Sequence, residues 1–309
     1  MLEIVVAVGV IGLLLAVIIP AVQSVHETSR RATCAARLRE IGAGLHFYEA
    51  TRGIYPDAYR WREELLPFLD QGAFAETISS RNFAVSLTGQ RIPTFICPAD
   101  SQSDGAFSQA NFVGNYGTGL QTYGFNGFMS PLPGGPHNEG PWGVPHRRGP
   151  NRVKDIRDGL SNTAAASEAL ISQHPGSVSD RRRAVWDLSG ISLTLFLPDR
   201  LAEVRQYCLA INPATSTPLN FDRGWNVFGR WDPPTRVLPG SPISWGYDHA
   251  LSPNAPPCTV GSTWGTLPAS SNHNHGVNVL FGDGRVEFIS DSIDDRVWNS
   301  IGDCSSGIR

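Results

Sequence analysis

The side chains whose types and spacing could do chemistry gather near the C-terminus. His273 and His275 form an H-x-H pair, and nine residues separate His273 from Asp283-Gly284. Residues two apart on an extended chain face the same side, and neutral imidazole is a zinc ligand. His273 and His275 with Asp291 or Asp294 therefore make one candidate metal set. The competing reading is structural and is the one adopted. Val277, Val279, Phe281 and then Val286 and Phe288 alternate around Gly282-Asp283-Gly284, and Asp-Gly between alternating runs signals a hairpin. Strands are expected at 276–281 and 285–290. Asp283 and Gly284 are then turn residues, and at about 3.3 Å per residue the strand holds them roughly 20 Å from the histidines. A loop centred on Asp283 sets His275 opposite Asp291. A His275–Asp291 contact is expected to tie the hairpin base, with His273 close to Ile293.

Few other residues offer a site. Asp100, Asp104 and Asn111 could contribute to a calcium shell of roughly six to eight oxygens, but they lack the spacing of a calcium loop. The Arg181-Arg182-Arg183 run after Asp180 reads as a solvated loop. Trp225, Trp231, Trp245 and Trp264 would, if clustered and exposed, stack on sugar and make the chain a carbohydrate-binding module. The chain lacks G-x-S-x-G, H-E-x-x-H, P-loop and dinucleotide patterns. The expectation is a non-enzymatic protein with no metal and no cofactor. A net charge of −3 excludes a generally basic nucleic-acid binder.

The elements that position these residues begin with a long helix. Ile4 to Val22 contains no charged or polar side chain. At 1.5 Å per residue the run is about 28 Å long, which matches the hydrocarbon thickness of a bilayer. A core helix would carry a polar stripe, and a cleaved signal peptide would carry a basic start and a small-residue cleavage site. Neither is present, so the run reads as membrane-inserted, with the bilayer as its partner. Val25, Ala32, Ala35, Leu38, Ile41, Leu45 and Tyr48 continue one apolar face at helical spacing. One helix from about 4 to 50 is expected, bent by Pro20. Glu3, a carboxylate at the edge of a span, is either paired or placed among headgroups.

After that helix the 309-residue chain changes character. Gly (32) and Pro (23) are abundant and charged residues are only 17%, which describes a loop-rich head with many turns. A short amphipathic helix is expected at 61–71, a strand at 91–100, extended segments around NFVGNYG, and an Asp158-Gly159 turn leading into a strand that ends at Glu168. Residues 171–268 read as an irregular insertion. The division is 1–22 transmembrane, 23–50 amphipathic, and 51–309 a globular head. Five Cys, one of them on the helix, leave at least one unpaired within the chain. Cys208–Cys258 is the one pair suggested, because both lie in the insertion.

The N-terminal segment, MLEIVVAVGVIGLLLAVIIPAVQ, resembles that of type IV pilins and type II secretion pseudopilins. The resemblance puts the family's glutamate at Glu3 and its helix-bending proline at Pro20. It implies that Glu3 pairs with the terminal amine of a neighbouring subunit and that copies self-assemble through the helix. Met1 and Leu2 stand in the two places before the family's glutamate, and its leader, Gly and Phe-Thr pair are absent, so either the start lies upstream or the chain is an unprocessed, anchored relative. The H-x9-DG motif of His273, Asp283 and Gly284 is similar to that of a large bacterial group of pilin-like proteins with a domain of unknown function. Cys34 with Leu38 to His46, Cys97 to Asp100, NFVGNYG and IRDGLSNTAAASE also look like its recurring blocks, whereas 171–268 does not. The implied fold is α+β, a long helix packed on a mainly antiparallel β head. Arginines after the span would favour an internal head by the positive-inside rule. The resemblance implies instead an inner-membrane, single-pass protein with its head outside the cytoplasm, or a surface protein after assembly. A static envelope protein that never assembles is the alternative.

Overall fold

The computed structural model describes residues 2–58, 60–72, 92–100, 110–118, 126–130, 139–140, 144–145, 151–171, 178–188, 200–216, 218, 246–260 and 264–305. The chain is α+β. Helix α1 runs Leu2–Arg52 and continues unbroken through Pro20. Between Ile4 and Val25 its large apolar side chains all stand exposed. The helix holds a window of mean hydropathy 3.0 with no part of it buried. Burial against the head begins at Cys34, with Leu38, Ile41 and Leu45 following it. Val25 and Ala32, expected on the same face, remain exposed.

That buried stripe lies on a five-stranded sheet. Its strands are β1 (Phe112–Asn115), β4 (Ala164–Glu168), β6 (Gly246–Tyr247), β9 (Gly276–Phe281) and β10 (Val286–Ser290), in the order β10-β9-β4-β1-β6. All pairs are antiparallel except β1 with β6. Side chains alternate across a strand, so β9 sends Leu280 toward α1 while Val277, Val279 and Phe281 face the opposite layer. On the helix side, Leu38, Ile41 and Leu45 pack with Trp61, Phe95, Phe112, Met129 and Leu280. A Cβ on Gly42 would sit 2.9 Å from Leu280 Cδ1, so the helix approaches the sheet as closely as a bare backbone permits. On the other side, Trp298 of the helix Asp295–Gly302 packs with Tyr247, Val277 and Val279. Asp294 caps that helix by accepting from the amides of Arg296 and Val297.

The smaller elements are short. Helix α2 (Trp61–Leu65) passes into a 3-10 turn at Leu66–Phe68, with Pro67 at a position that needs no amide donor. Strands β2 (Glu139–Gly140) and β3 (Val144–Pro145) form a two-stranded sheet, and β5 (Trp186–Asp187), β7 (Cys258–Val260) and β8 (Trp264–Thr266) a three-stranded one. The strand expected at 91–100 is instead a 3-10 turn at Pro93–Phe95. Proline fixes φ and lacks an N–H, and the Phe95 and Ile96 amides bond back to Ile92 and Pro93 within the turn. The described residues of the insertion are not all irregular. It holds a nine-residue helix, Leu201–Leu209, and its own core of Trp186, Val204, Cys208 and Leu251, crosslinked by a Cys208–Cys258 disulfide.

Candidate functional site

Four segments far apart in sequence meet where α1 joins the head. Glu27 and Cys34 are seven residues apart on α1 and share a face, since residues about two turns apart align. Cys97 follows the Pro93–Phe95 turn, Glu168 ends β4, and His273 lies in the loop entering β9. Ser271 shapes that loop, since its hydroxyl accepts from the His273 amide and donates to the Gly276 carbonyl. Cys34 and Cys97 form a disulfide that fastens the helix to the head. Both cysteines, Glu168 and His273 are buried, and their sulfur, oxygen and nitrogen ligand atoms lie within 4.8 Å of one another.

The imidazole of His273 connects these groups. Its Nδ1 is 2.7 Å from Glu27 Oε1, and its Nε2 is 3.3 Å from Glu168 Oε1 and 3.6 Å from Cys97 Sγ. Burial alone would lower its pKa; the hydrogen bonds and charges of Glu168 and then Glu27 outweigh burial and raise it above the ordinary imidazole value. The His273 ring, set between two carboxylates, thus joins helix to head beside the disulfide. Glu168 is held at both oxygens by Asn278, through its side-chain amide at 2.9 Å and its backbone amide at 2.8 Å.

Cys97 is held from behind. Its amide donates to Asn111 Oδ1, and Asn111 Nδ2 donates to Asp100 and to the Ala169 carbonyl. Asp100 also accepts from the Ile171 amide and from Arg183, with which it forms a buried ion pair at 2.9 Å. Asp100 and Asn111, considered above as calcium ligands, are thus committed to this network, and Asp104 lies outside the described residues. The Arg181–Arg183 segment is not simply a solvated loop. It is a 3-10 turn in which Arg183 is buried against Asp100.

The remaining sequence candidates lie elsewhere. Asp283 and Gly284 occupy the β9–β10 turn, at the other end of β9 from His273, and Gly284 takes φ +88°. The Gly284 amide closes the turn on the Phe281 carbonyl. Strand pairing of Ser290 with Gly276 continues to Asp291 and His275. What joins that last pair is backbone, the Asp291 amide donating to the His275 carbonyl at 3.1 Å. No side-chain hydrogen bond or ion pair joins the two, and His275 takes φ +60° with its side chain exposed. His275 therefore takes no part in the cluster that holds His273, and the H-x-H set with Asp291 or Asp294 is not assembled among the described residues. Glu3 stands exposed on the bare part of α1. Trp225, Trp231 and Trp245 lie outside the described residues, and Trp264 is in β8.

Sequence reading missed Glu27 and Glu168 as partners of His273, although the seven-residue step from Glu27 to Cys34 was visible. Residues 23–296 match the model of a family described as protein of unknown function (DUF1559). The chain belongs to that family. No curated protein matches it, and no solved structure does. The DUF1559 match begins just after the apolar run Ile4–Val22 and takes in every member of the cluster, from Glu27 to His273. The DUF1559 region thus coincides with the clamped part of the helix plus the head, and the bare apolar run precedes it.

Proposed function

We propose that this protein is a pilin-like, membrane-anchored structural subunit without catalytic activity. Residues 4–22 cross the cytoplasmic membrane once, the head stands on the extracytoplasmic side, and copies associate through α1 in a pilus- or pseudopilus-type assembly. One observation carries this reading. A single helix is bare and apolar over its first half, while its second half is fixed to the head by a core stripe, a disulfide and the Glu27–His273 hydrogen bond. An exposed surface of Ile, Val and Leu over that length is unstable in water and requires lipid or other helices. The disulfides fit an oxidising compartment and so the outward orientation of the head.

The test is expression of the full chain in a bacterium with single cysteines placed along residues 5–20, followed by fractionation and oxidative crosslinking in intact cells. The expected result is recovery in the membrane or sheared-surface fraction with ladders of crosslinked copies, which Glu3→Ala reduces without releasing the chain from the membrane. Dimers and higher species absent at every position would leave a static anchor and overturn assembly. A wholly soluble chain would overturn the anchor as well.

A further inference from the structure

We propose that, when the Cys34–Cys97 disulfide is reduced, Cys34, Cys97, Glu168 and His273 form a zinc site that fastens helix to head in its place. Three of the four ligands already stand at the edges of a coordination tetrahedron. Zinc bound at about 2.3 Å to sulfur, about 2.0–2.1 Å to nitrogen and about 2.0–2.2 Å to oxygen places S and N about 3.5–3.6 Å apart, S and O about 3.5–3.7 Å, and N and O about 3.3–3.5 Å. The observed separations are 3.6 Å for Cys97 Sγ to His273 Nε2, 3.8 Å for Cys97 Sγ to Glu168 Oε1, and 3.3 Å for His273 Nε2 to Glu168 Oε1. Only Cys34 must move, its sulfur turning away from the bonded partner to become the fourth ligand. Two thiolates, an imidazole and a carboxylate in a tetrahedron suit zinc better than calcium or magnesium, which take oxygen ligands.

The surrounding hydrogen bonds are those a metal site needs. A ligating histidine almost always donates its other ring N–H to a carboxylate, a backbone carbonyl or water, and His273 Nδ1 meets Glu27 Oε1 at 2.7 Å. Asn278 fixes the carboxylate plane of Glu168, and Asn111 fixes the Cys97 backbone. Glu27 is partly exposed and lines an open groove with Arg31 and Asn274, so the groove reaches the residue hydrogen-bonded to His273. The exchange is balanced. A dithiol reductant gives two electrons and two protons to the Cys34–Cys97 bond and leaves as its own disulfide. Zinc then displaces the two thiol protons, and any proton on His273 Nε2 leaves with them. Either bridge spans the same junction, because Cys34 is on α1 and the other three ligands are on the head. The inference is independent of whether copies assemble.

The full chain in detergent, with and without anaerobic dithiol reduction, would be equilibrated with zinc and washed, and metal per chain measured. About one zinc per reduced chain and none per oxidised chain is expected. Cobalt in place of zinc should show thiolate-to-metal charge-transfer absorption together with tetrahedral visible bands. Glu27→Gln leaves all four ligands in place and should weaken zinc binding about 10- to 100-fold, while His273→Ala should abolish the tetrahedral cobalt spectrum. Circular dichroism of the reduced chain accompanies each measurement. No zinc on the reduced chain, equal zinc on the oxidised chain, a cobalt spectrum without thiolate absorption, or a reduced chain that unfolds and is not restored by zinc would each overturn the proposal.

Discussion

The two halves of α1 are one continuous helix with opposite fates. From Ile4 to Val22 every side chain is apolar and every large one is exposed. From Cys34 onward an apolar stripe is buried against the sheet, while Arg39, Phe47 and Ala50 remain outside. Composition alone would place the more hydrophobic half in the core, and the structure does the reverse. The difference shows that burial within a chain follows an asymmetric surface. A one-sided stripe can be satisfied by a single sheet, whereas an all-round apolar surface needs a solvent of its own. The junction between these regimes is where the cystine, the Glu27–His273 pair and the close approach at Gly42 lie. A long unsupported lever needs its fixed end held by more than packing.

The largest test of that contrast removes the crosslink. Cys34→Ser with Cys97→Ser releases a loop of sequence separation 63. Loop entropy alone then costs about 4 kcal/mol. Urea unfolding of the head, followed by tryptophan fluorescence, should show a loss of that order. A loss under about 1 kcal/mol would mean that packing holds the junction without the cystine. Next comes Leu38→Ala, which removes a fully buried side chain from the clamped stripe and should cost about 2–5 kcal/mol in the same assay. Membrane recovery of the folded chain should be unchanged, because the anchor is elsewhere on the helix.

Much of this architecture is local and therefore legible in the sequence. Helix α1 announces itself through uninterrupted periodicity, and the β9–β10 hairpin through alternation around Asp-Gly, with the pairing Val286 to Leu280 that a loop centred on Asp283 requires. The cluster was not legible, since its members come from α1, the Pro93–Phe95 turn, β4 and the loop before β9. Nothing in local pattern tells which cysteine faces Cys34 or that Glu168 is turned inward. The misreadings have the same origin. Arg183 looked solvated within a basic triplet because its partner Asp100 is far back in the chain. Residues 91–100 looked like a strand because two prolines were weighed less than the apolar residues between them. The backbone contact between Asp291 and His275 follows from register, but the positive φ of His275 is one that no pattern of residue types revealed.

The layer on the far face of the sheet gives a comparison of intermediate size. His249 is fully buried between Tyr247 and Trp298, its Nδ1 at 2.8 Å from the Trp298 carbonyl and its Nε2 at 3.0 Å from the Tyr247 hydroxyl. Burial pushes its pKa down to about 3, despite the Trp298 hydrogen bond. The unfolded chain protonates this imidazole below about pH 6.5 while the folded chain keeps it neutral to about 3. Stability contributed by the neutral form is therefore complete above pH 6.5 and lost as pH falls from 6.5 toward 3, at about 1.4 kcal/mol per unit. Neighbouring Asp248 acts in the opposite direction, burial having raised it to about 6, so the pair must be separated by difference. The stability gap between wild type and His249→Asn should narrow by about 1.4 kcal/mol per unit across that window. A pH-independent gap would show that the far layer tolerates the charge. The Cys34–Cys97 double variant should leave the slope unchanged, since its residues pack on the other face.

The smallest effect is the most discriminating. Leu14 is as apolar as Leu38 and belongs to the same helix, yet it is 55% exposed while Leu38 is fully buried. Leu14→Ala should change head stability by less than about 0.5 kcal/mol, as for a surface position. It should also leave the chain in the membrane, because one methyl-bearing side chain is a small part of a nineteen-residue run. Leu14→Arg keeps the head equally intact but places a charge at the middle of the span, at about 2.5–3.5 kcal/mol for insertion. Membrane recovery should then fall while the urea midpoint of the head does not move. If Leu14→Arg lowered that midpoint as Leu38→Ala does, the outer half of α1 would be packing on the head, and the division of the helix into an anchor and a clamp would fail.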